Sequence, residues 1–163
     1  MVATLISSML IGQSQGVSNV HPKGPVDELA KVRATANKLN THIFVPDNTA
    51  LGYKIRHIEY TKVLASSDLK GLPDRYAVRM TLENPYTVMT FDFYQVPGHP
   101  EVPVERQLKW LLKKNYFEAV LSPQDTFAAT RRGDRDIAFV GGLVSEPSAK
   151  EILNRLVKVY PKY

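Results

Sequence analysis

The sequence of 163 residues contains no cysteine, which excludes disulfide bonds, catalysis by a thiolate and zinc sites with cysteine ligands. Its four histidines form no spaced metal motif such as H-E-x-x-H. A G-x-S-x-G nucleophile motif and a Gly-rich phosphate loop are also missing. From these absences we expect no cofactor, no metal and no catalytic residue at a recognisable motif.

The chain also lacks long runs of one charge. Lysine and arginine outnumber aspartate and glutamate by 21 to 16, which gives a formal net charge of +5 at pH 7. A basic protein can bind nucleic acid, an anionic membrane or cell-wall polymers. Because the basic residues are scattered along the chain, an ordinary solvated surface is the favoured interpretation.

Composition is that of a globular protein, with 44% apolar and 23% charged residues. A chain of this length can bury about 70% of its unfolded surface, so it folds without disulfides or a structural metal. We expect one domain, spanning residues 25–160.

The first sixteen residues differ from the rest, since Val2–Ile11 is apolar and uncharged and small polar residues follow it. This pattern resembles a secretory signal peptide, although no basic residue follows Met1. The apolar stretch is too short to span a bilayer, which takes about 20 residues. We therefore expect residues 1–16 to be a signal peptide, 17–24 a linker, and the protein to reside in the periplasm or cell envelope. A cytoplasmic location is the alternative.

Hydrophobic periodicity predicts two terminal helices around a set of strands. A helix is expected over Pro25–Leu39, because Pro25 suits a first helical position and an apolar stripe follows. The last helix is expected to begin after Ser145, a good N-cap. Its predicted buried stripe comprises Ile152, Leu153, Leu156, Val157 and Tyr160.

Strands are expected at Thr41–Val45, Tyr53–Leu64, Arg75–Glu83 and Thr87–Val96. The last two form a predicted hairpin, followed by a Pro-rich loop, a helix over Glu105–Lys114 and a second hairpin with Arg132-Gly133-Asp134 at its tip. We interpret that tripeptide as turn chemistry rather than as a cell-adhesion motif. The fold class predicted is α+β, a mostly antiparallel, curved sheet packed with an N-terminal and a C-terminal helix.

Two segments carry a resemblance to a known family. In FVPDNTALGYKIRHIEY, Pro46 and Gly52-Tyr53 precede a strand; in DIAFVGGLVSEPSAKEILNRL, a strand ends at Gly142-Leu143 before a closing helix. Over about Thr41–Val157 the chain resembles the bacterial extracytoplasmic domain of anti-sigma factors and of MucB/RseB-like sensors. It departs from that family at Ala50, where a second proline is common.

The resemblance implies a non-catalytic extracytoplasmic domain that senses or binds a lipid-like ligand or a protein partner. Aromatic side chains along the sheet and the middle helix are the expected binding residues: Tyr53, Phe91, Phe93 and Trp110. The oligomeric state is left open.

A basic and aromatic cluster surrounds Trp110 in the middle helix. Lys109, Lys113 and Lys114 are the expected contacts with an anionic membrane surface or another anion. Stacking on single-stranded nucleic acid is less favoured. The ordinary interpretation is an amphipathic helix whose Trp and Leu residues enter the core while the lysines stay in water.

Two alternative functions stay open. A hydrolase-type enzyme requires His57, Asp92 and His99 to meet in one pocket. A basic nucleic-acid-binding domain requires a continuous Lys/Arg face and binding that weakens steeply with salt. For Asp92 we expect a salt bridge across the hairpin, to Arg79 or to Arg75.

Overall fold

The structure is a computed structural model that describes residues 25–47, 53–63, 75–84, 89–118, 121–142 and 144–162. The helices are α1 (Pro25–Leu39), α2 (Val104–Lys113) and α3 (Glu146–Asn154). The strands are β1 (Ile43–Pro46), β2 (Lys54–Val63), β3 (Arg75–Glu83), β4 (Thr90–Pro97), β5 (Asp125–Arg132), β6 (Arg135–Gly142) and β7 (Leu156–Val159). The expected signal peptide and linker, like the turn at residues 48–52, lie outside the described residues.

Five strands form one antiparallel sheet in the order β2-β3-β4-β6-β5, and β1 pairs with β7 in a separate two-stranded ribbon. Strand β3 shows why the sheet has two different faces. Val78, Met80 and Leu82 are at most 2% exposed and point to one side, while Arg79 and Thr81 alternate with them and point to the other. The α+β fold class predicted from the sequence is confirmed.

The first face of the sheet is closed by α1, α3 and the β1–β7 ribbon. Phe91, Phe93 and Phe139 form its centre, with ring centroids 5.1–5.7 Å apart. Gly141 belongs to this packing, because a Cβ there would lie 2.8 Å from Phe91 Cβ. Close packing at the centre of this face therefore leaves no room for a side chain at Gly141.

Gln95 ties the β1–β7 ribbon to the sheet. Its side chain is 1% exposed, accepts a hydrogen bond from Phe44 N at 2.8 Å and donates one to Phe44 O. An amide side chain offers the same donor and acceptor as a peptide group, so Gln95 supplies a strand-like pairing where no neighbouring strand exists. This buried polar side chain thus fixes how the ribbon packs.

The second face is only partly covered, by α2, which lies over β5 and β6. Leu108, Leu111 and Leu112 pack there on Tyr94 and Ala138. α2 thus has the predicted amphipathic character, with leucines in the core and exposed lysines. The uncovered part of this face, over β2 and β3, carries polar side chains.

An ion pair between a buried aspartate and a partly exposed arginine anchors the loop that leads into α2. Asp136 is fully buried, and its Oδ1 accepts a hydrogen bond from Arg131 Nε at 2.6 Å. Arg131 Nη2 also donates to His99 O and Val102 O at 2.9 Å each. The Pro-rich loop is therefore held by a charge-assisted network rather than by secondary structure.

The predicted C-terminal helix is wrong in its second half. α3 ends at Asn154, and Leu156–Val159 forms strand β7 instead of continuing the helical stripe. Val157 is 41% and Tyr160 62% exposed, so neither belongs to a buried stripe. Pairing with β1, together with the Asp47 N to Arg155 O hydrogen bond, overrides the helical pattern.

The other elements agree with the sequence prediction. α1 spans the predicted residues, and both hairpins form, with Gly133 at positive φ in the β5–β6 turn. His42 and His57 do not approach each other through paired strands, because β1 pairs with β7 and β2 with β3. His42 instead contacts Asp134 at 2.9 Å.

Candidate functional site

A row of charged and polar side chains crosses the second face of the sheet where α2 does not cover it. Glu59 of β2 stands opposite Arg79 of β3, and Thr81 of β3 stands opposite Asp92 of β4. Arg79 Nη1 donates to Glu59 at 3.0 Å and Arg79 Nη2 donates to Asp92 at 2.9 Å. Cross-strand neighbours of opposite charge are within reach of one another in an antiparallel sheet, so the register itself assembles this network.

Asp92 is the most connected acceptor of the row. Its carboxylate accepts hydrogen bonds from Arg79, from Thr81 Oγ1 at 2.6 Å and from Tyr94 Oη at 3.3 Å. The salt bridge to Arg79 that the sequence predicted is thus confirmed. Arg75, the other candidate, donates to Pro97 O instead.

The network also shifts the titration of its members. Burial alone would lower the pKa of Arg79, but hydrogen bonding and attraction from Asp92 outweigh it and raise that pKa. Burial, and then the Asp92 charge, raise the pKa of Tyr94. At neutral pH Arg79 is therefore a cation and Tyr94 a neutral hydroxyl.

Two adjoining pockets open over this row. One, of about 320 Å³, lies over β4 and β6 and is lined by Asp92, Asp125 and Gly142 among others. The second, of about 480 Å³, lies over β2 and β3 and is lined by His57, Glu59 and Thr81. Because Arg79 and Glu118 line both, we treat them as one site, the Arg79 cleft.

The turn that follows α2 forms a wall of the Arg79 cleft. Arg79 Nη1 donates to Phe117 O at 3.1 Å, which fixes the turn to the sheet. Asn115 and Glu118 both have positive φ, 56° and 52°. Glu118 has a backbone conformation that non-glycine residues seldom adopt, and this exposed residue lines both pockets.

The charge of the Arg79 cleft is opposite to that of the whole protein. Glu59, Asp92, Glu118 and Asp125 face a single guanidinium, which gives a formal charge of −3 with His57 neutral. The chain as a whole carries +5. Among the described residues, no group of three or more metal-ligating side chains is placed to hold a metal ion.

Two of the four predicted aromatic binding residues are core residues. Phe93 is fully buried and Phe91 is 5% exposed, so neither offers side-chain surface to a ligand in this conformation. Tyr53 is half-buried at the edge of the same cluster, with its ring 4.7 Å from that of Phe91. All three belong to the apolar cluster of the first face, and Phe91 is also among the residues that line the Arg79 cleft.

Trp110 and the lysines lie on α2. The indole is half-buried and its centroid is 6.0 Å from that of Tyr116, a residue that lines the Arg79 cleft. Lys109 is exposed, 3.6 Å from Glu105, and its Nζ lies 5.3 Å from the Phe127 ring. Lys113 and Lys114 are exposed. The outer face of α2 is thus basic, and its large apolar side chains point inward.

The three residues of the alternative enzyme site do not converge. His57 Nε2 is 3.5 Å from Glu59, and Glu59 is linked through Arg79 to Asp92. His99 lies in the loop before α2, where its carbonyl accepts from Arg131. His57 and Asp92 therefore share one network, and His99 is outside it.

Sequence reasoning missed Glu59, Glu118, Asp125 and Tyr94 as residues of the site. The alternation of β2 and β3 already placed Glu59 and Arg79 on a polar face, which was a usable signal. Glu118 and Asp125 had no such signal, because they reach the cleft from a turn and from the first residue of β5.

Comparison with protein-family models, curated protein sequences and solved structures finds no significant match to this chain. Within the described residues, no helix combines the length and the apolar character needed to cross a membrane.

Proposed function

We propose that this domain is a binding domain that takes up a small polar ligand, or a polar side chain of a protein partner, in the Arg79 cleft without transforming it. The observation that carries the proposal is the cleft itself, open to solvent above a fixed row of ion pairs. Concave sites with a few convergent polar groups are where proteins bind ligands. On the described sheet, this cleft lies over the half of the second face that α2 leaves uncovered.

The chemistry of the row favours binding over catalysis. General acid–base catalysis by carboxylates needs a pair whose acidities differ, so that one is protonated while the other is not. Glu59 and Asp92 are instead both ion-paired with the same guanidinium, that of Arg79. An enzyme acting through His57, Asp92 and His99 would also require His99 to approach the other two residues. Its loop is held in place by the hydrogen bond from Arg131 to the His99 carbonyl.

The lining favours a polar ligand over a lipid-like one. A lipid tail needs a deep apolar space, whereas the described residues of the two apolar clusters pack against one another between the sheet and its covering layers. The floor of the Arg79 cleft is formed by charged and hydroxyl groups instead. A protein partner that inserts one polar side chain would satisfy the same surface.

We further propose that the domain acts in the bacterial cell envelope, as the apolar N-terminal stretch and the resemblance to anti-sigma and MucB/RseB-like domains imply. Fractionation of cells with mass spectrometry of the native protein tests this. We expect cleavage near Gly16 and recovery from the envelope. An intact Met1 in the cytosol would refute this location and leave the cleft to be tested on its own.

The binding proposal is tested by NMR with a chemically mixed set of small polar compounds, in which anionic, cationic and neutral members are equally represented. We expect shifts of the Gly141, Gly142 and Glu118 amides. Gly142→Leu supplies a blocked variant, because a Cβ at Gly142 has only Asp125 Oδ1 near it, at 3.6 Å, and points into the cleft. Gly142→Ala is the matched small variant.

The blocked variant should lose the shifts while keeping its melting temperature, and the alanine variant should keep most of them. If no compound in the set perturbs these amides, the binding proposal fails. Turnover of any compound in the set would favour the enzyme instead.

A further inference from the structure

The hydrogen-bonding groups of the Arg79 cleft are unequally used. Each donor group on its floor already donates within the chain: Arg79 Nη1 to Glu59, Arg79 Nη2 to Asp92, and the Thr81 and Tyr94 hydroxyls to Asp92. Arg79 Nε has no hydrogen-bond partner among the described residues, but it is buried out of solvent contact and so is not exposed to a ligand. The floor therefore has few donors left for a ligand.

Acceptor capacity remains in the same cleft. An ionised carboxylate has about four acceptor positions. Asp125 uses Oδ2 to accept from Ser122 N at 2.8 Å, which leaves Oδ1 on the side of Gly142. The exposed Glu118 carboxylate has no ion pair with any described residue. Among the described residues, Glu59 Oε2 is paired only with His57, whose Nε2 lies 3.5 Å away.

The rim groups do not alter this balance. Thr90 and Tyr116 carry hydroxyls, which accept as well as donate. His57 is exposed at the outer margin, where water competes for its N–H. A ligand that enters the cleft thus meets acceptors and negative charge, and must itself donate.

We infer that the Arg79 cleft selects an organic cation, a primary ammonium or a guanidinium, which its spare carboxylate oxygens hold by charge-assisted hydrogen bonds; this rests on the proposed function. Such hydrogen bonds are about twice as strong as neutral ones. The cation is organic rather than a metal ion, because the carboxylates of the described residues do not cluster as metal ligands. An anion would lack donors and meet a formal charge of −3.

Two sources supply this chemistry: a free amine, or a lysine or arginine side chain of a partner. Attraction between a basic side chain and the acidic cleft also steers the partner's approach, and salt at 0.1 M ionic strength screens this attraction beyond about 10 Å. The experiment separates the two sources with two sets of probes.

The first set is putrescine, butanediol and succinate, which have the same carbon chain and differ in charge. The second set is acetyl-glycyl-lysyl-glycinamide and its glutamine counterpart. Each is titrated into the full chain while the Gly141, Gly142 and Glu118 amides are followed by NMR and Trp110 by fluorescence. Trp110 is the only tryptophan, and its neighbour Tyr116 lines the cleft.

We expect putrescine to bind with a Kd at least about ten-fold lower than that of butanediol, or the lysine peptide with a Kd at least about ten-fold lower than that of the glutamine peptide. Binding by putrescine alone identifies a free amine, and preference for the peptide identifies a partner side chain. In either case the affinity should fall as salt is added.

The double variant Glu118→Gln/Asp125→Asn removes the two spare carboxylates and leaves the Arg79 ion pairs in place. It should weaken cation binding at least about ten-fold. The control Glu105→Gln/Glu151→Gln changes the net charge equally at exposed positions outside the cleft and should bind as the native chain does.

The possible results separate the two proposals. Butanediol or succinate binding at these amides as tightly as putrescine would overturn the cation inference and leave the binding function standing. Equal weakening by both double variants would also overturn it. If neither probe set nor the mixed set of compounds shifts the NMR signals of the cleft amides, both the cation inference and the proposed binding function are wrong.

Discussion

The two faces of the five-stranded sheet are built on opposite principles. On the first face, apolar side chains from β3, β4 and β6 meet three covering elements, and its largest members are fully buried. On the second face, α2 covers β5 and β6, while over β2 and β3 ion pairs remain open to solvent. The comparison teaches that the covered parts of the sheet supply stability, whereas the uncovered half of the second face is free to present chemistry.

The strand register connects the two faces. Along β4, Phe91, Phe93 and Gln95 serve the first face, and the alternating Asp92, Tyr94 and Val96 serve the second. A slip of one residue would exchange these sets. The packed face therefore holds the register that places Arg79 between Glu59 and Asp92.

The largest expected effect is on the first face. Phe93→Ala should lower the free energy of unfolding by about 3–5 kcal/mol, because it leaves a cavity among Phe91, Phe139 and their neighbours. Urea unfolding measures it. Tyr76→Ala is the control, since Tyr76 is 41% exposed on the same strand face as the buried positions of β3. A Phe93 variant no less stable than the Tyr76 control would contradict the assignment of this face to stability.

The next largest effect concerns Gln95, a buried polar side chain on the otherwise apolar first face. Gln95→Met should cost about 2–3 kcal/mol, because it leaves buried Phe44 N and O without their partners. Hydrogen exchange at the Phe44 amide should accelerate more than exchange in β3 and β6. The exposed Gln124→Met is the control. Unchanged exchange at Phe44 would show that the ribbon is held by apolar packing alone.

A smaller effect is expected on the second face. Arg79→Met should lower the free energy of unfolding by about 1–2 kcal/mol, because Glu59 and Asp92 lose their shared cation at a site that water partly reaches. The exposed Arg106→Met should change it by less than about 0.5 kcal/mol. If Arg79→Met lowers the free energy of unfolding as much as Phe93→Ala does, the open face contributes as much to stability as the first face.

The smallest effect is a pH dependence at the margin of the first face. Burial lowers the pKa of His42 below its usual value of about 6.5, against the opposing pull of Asp134 and with support from Arg135 and Lys158. The unfolded state then binds more protons than the folded state. The stabilisation is thus complete above about pH 6.5 and is lost as the pH falls through the lowered folded pKa.

His42→Gln removes this titration, so the difference in unfolding free energy between native chain and variant should shrink on acidification from pH 8 to pH 5. Urea titrations at both values measure it. A difference that instead grows at acidic pH would show that the ion pair with Asp134 outweighs burial.

The sequence by itself determined the local elements and the sidedness of the strands. Alternation in Arg75–Glu83 was enough to place Val78 and Met80 in a dry face and Arg79 in a polar one, because side chains of a strand alternate with a period of two. Capping and composition located α1, α2 and the start of α3 for the same kind of local reason. The hairpin predicted a salt bridge from Asp92 to Arg79 or to Arg75, and the structure shows that Arg79 is the partner.

Only the tertiary structure decided what depends on partners distant in sequence. β7 exists because β1 pairs with it across more than a hundred residues, which no local helical pattern reveals. Phe93 became core rather than binding surface because α1, α3 and the ribbon close over it. The cleft joins Glu118 and Asp125 to Glu59 and Asp92 because the turn after α2 is bonded to Arg79. Such long-range closure is a property of the assembled fold, since each short segment is compatible with several packings.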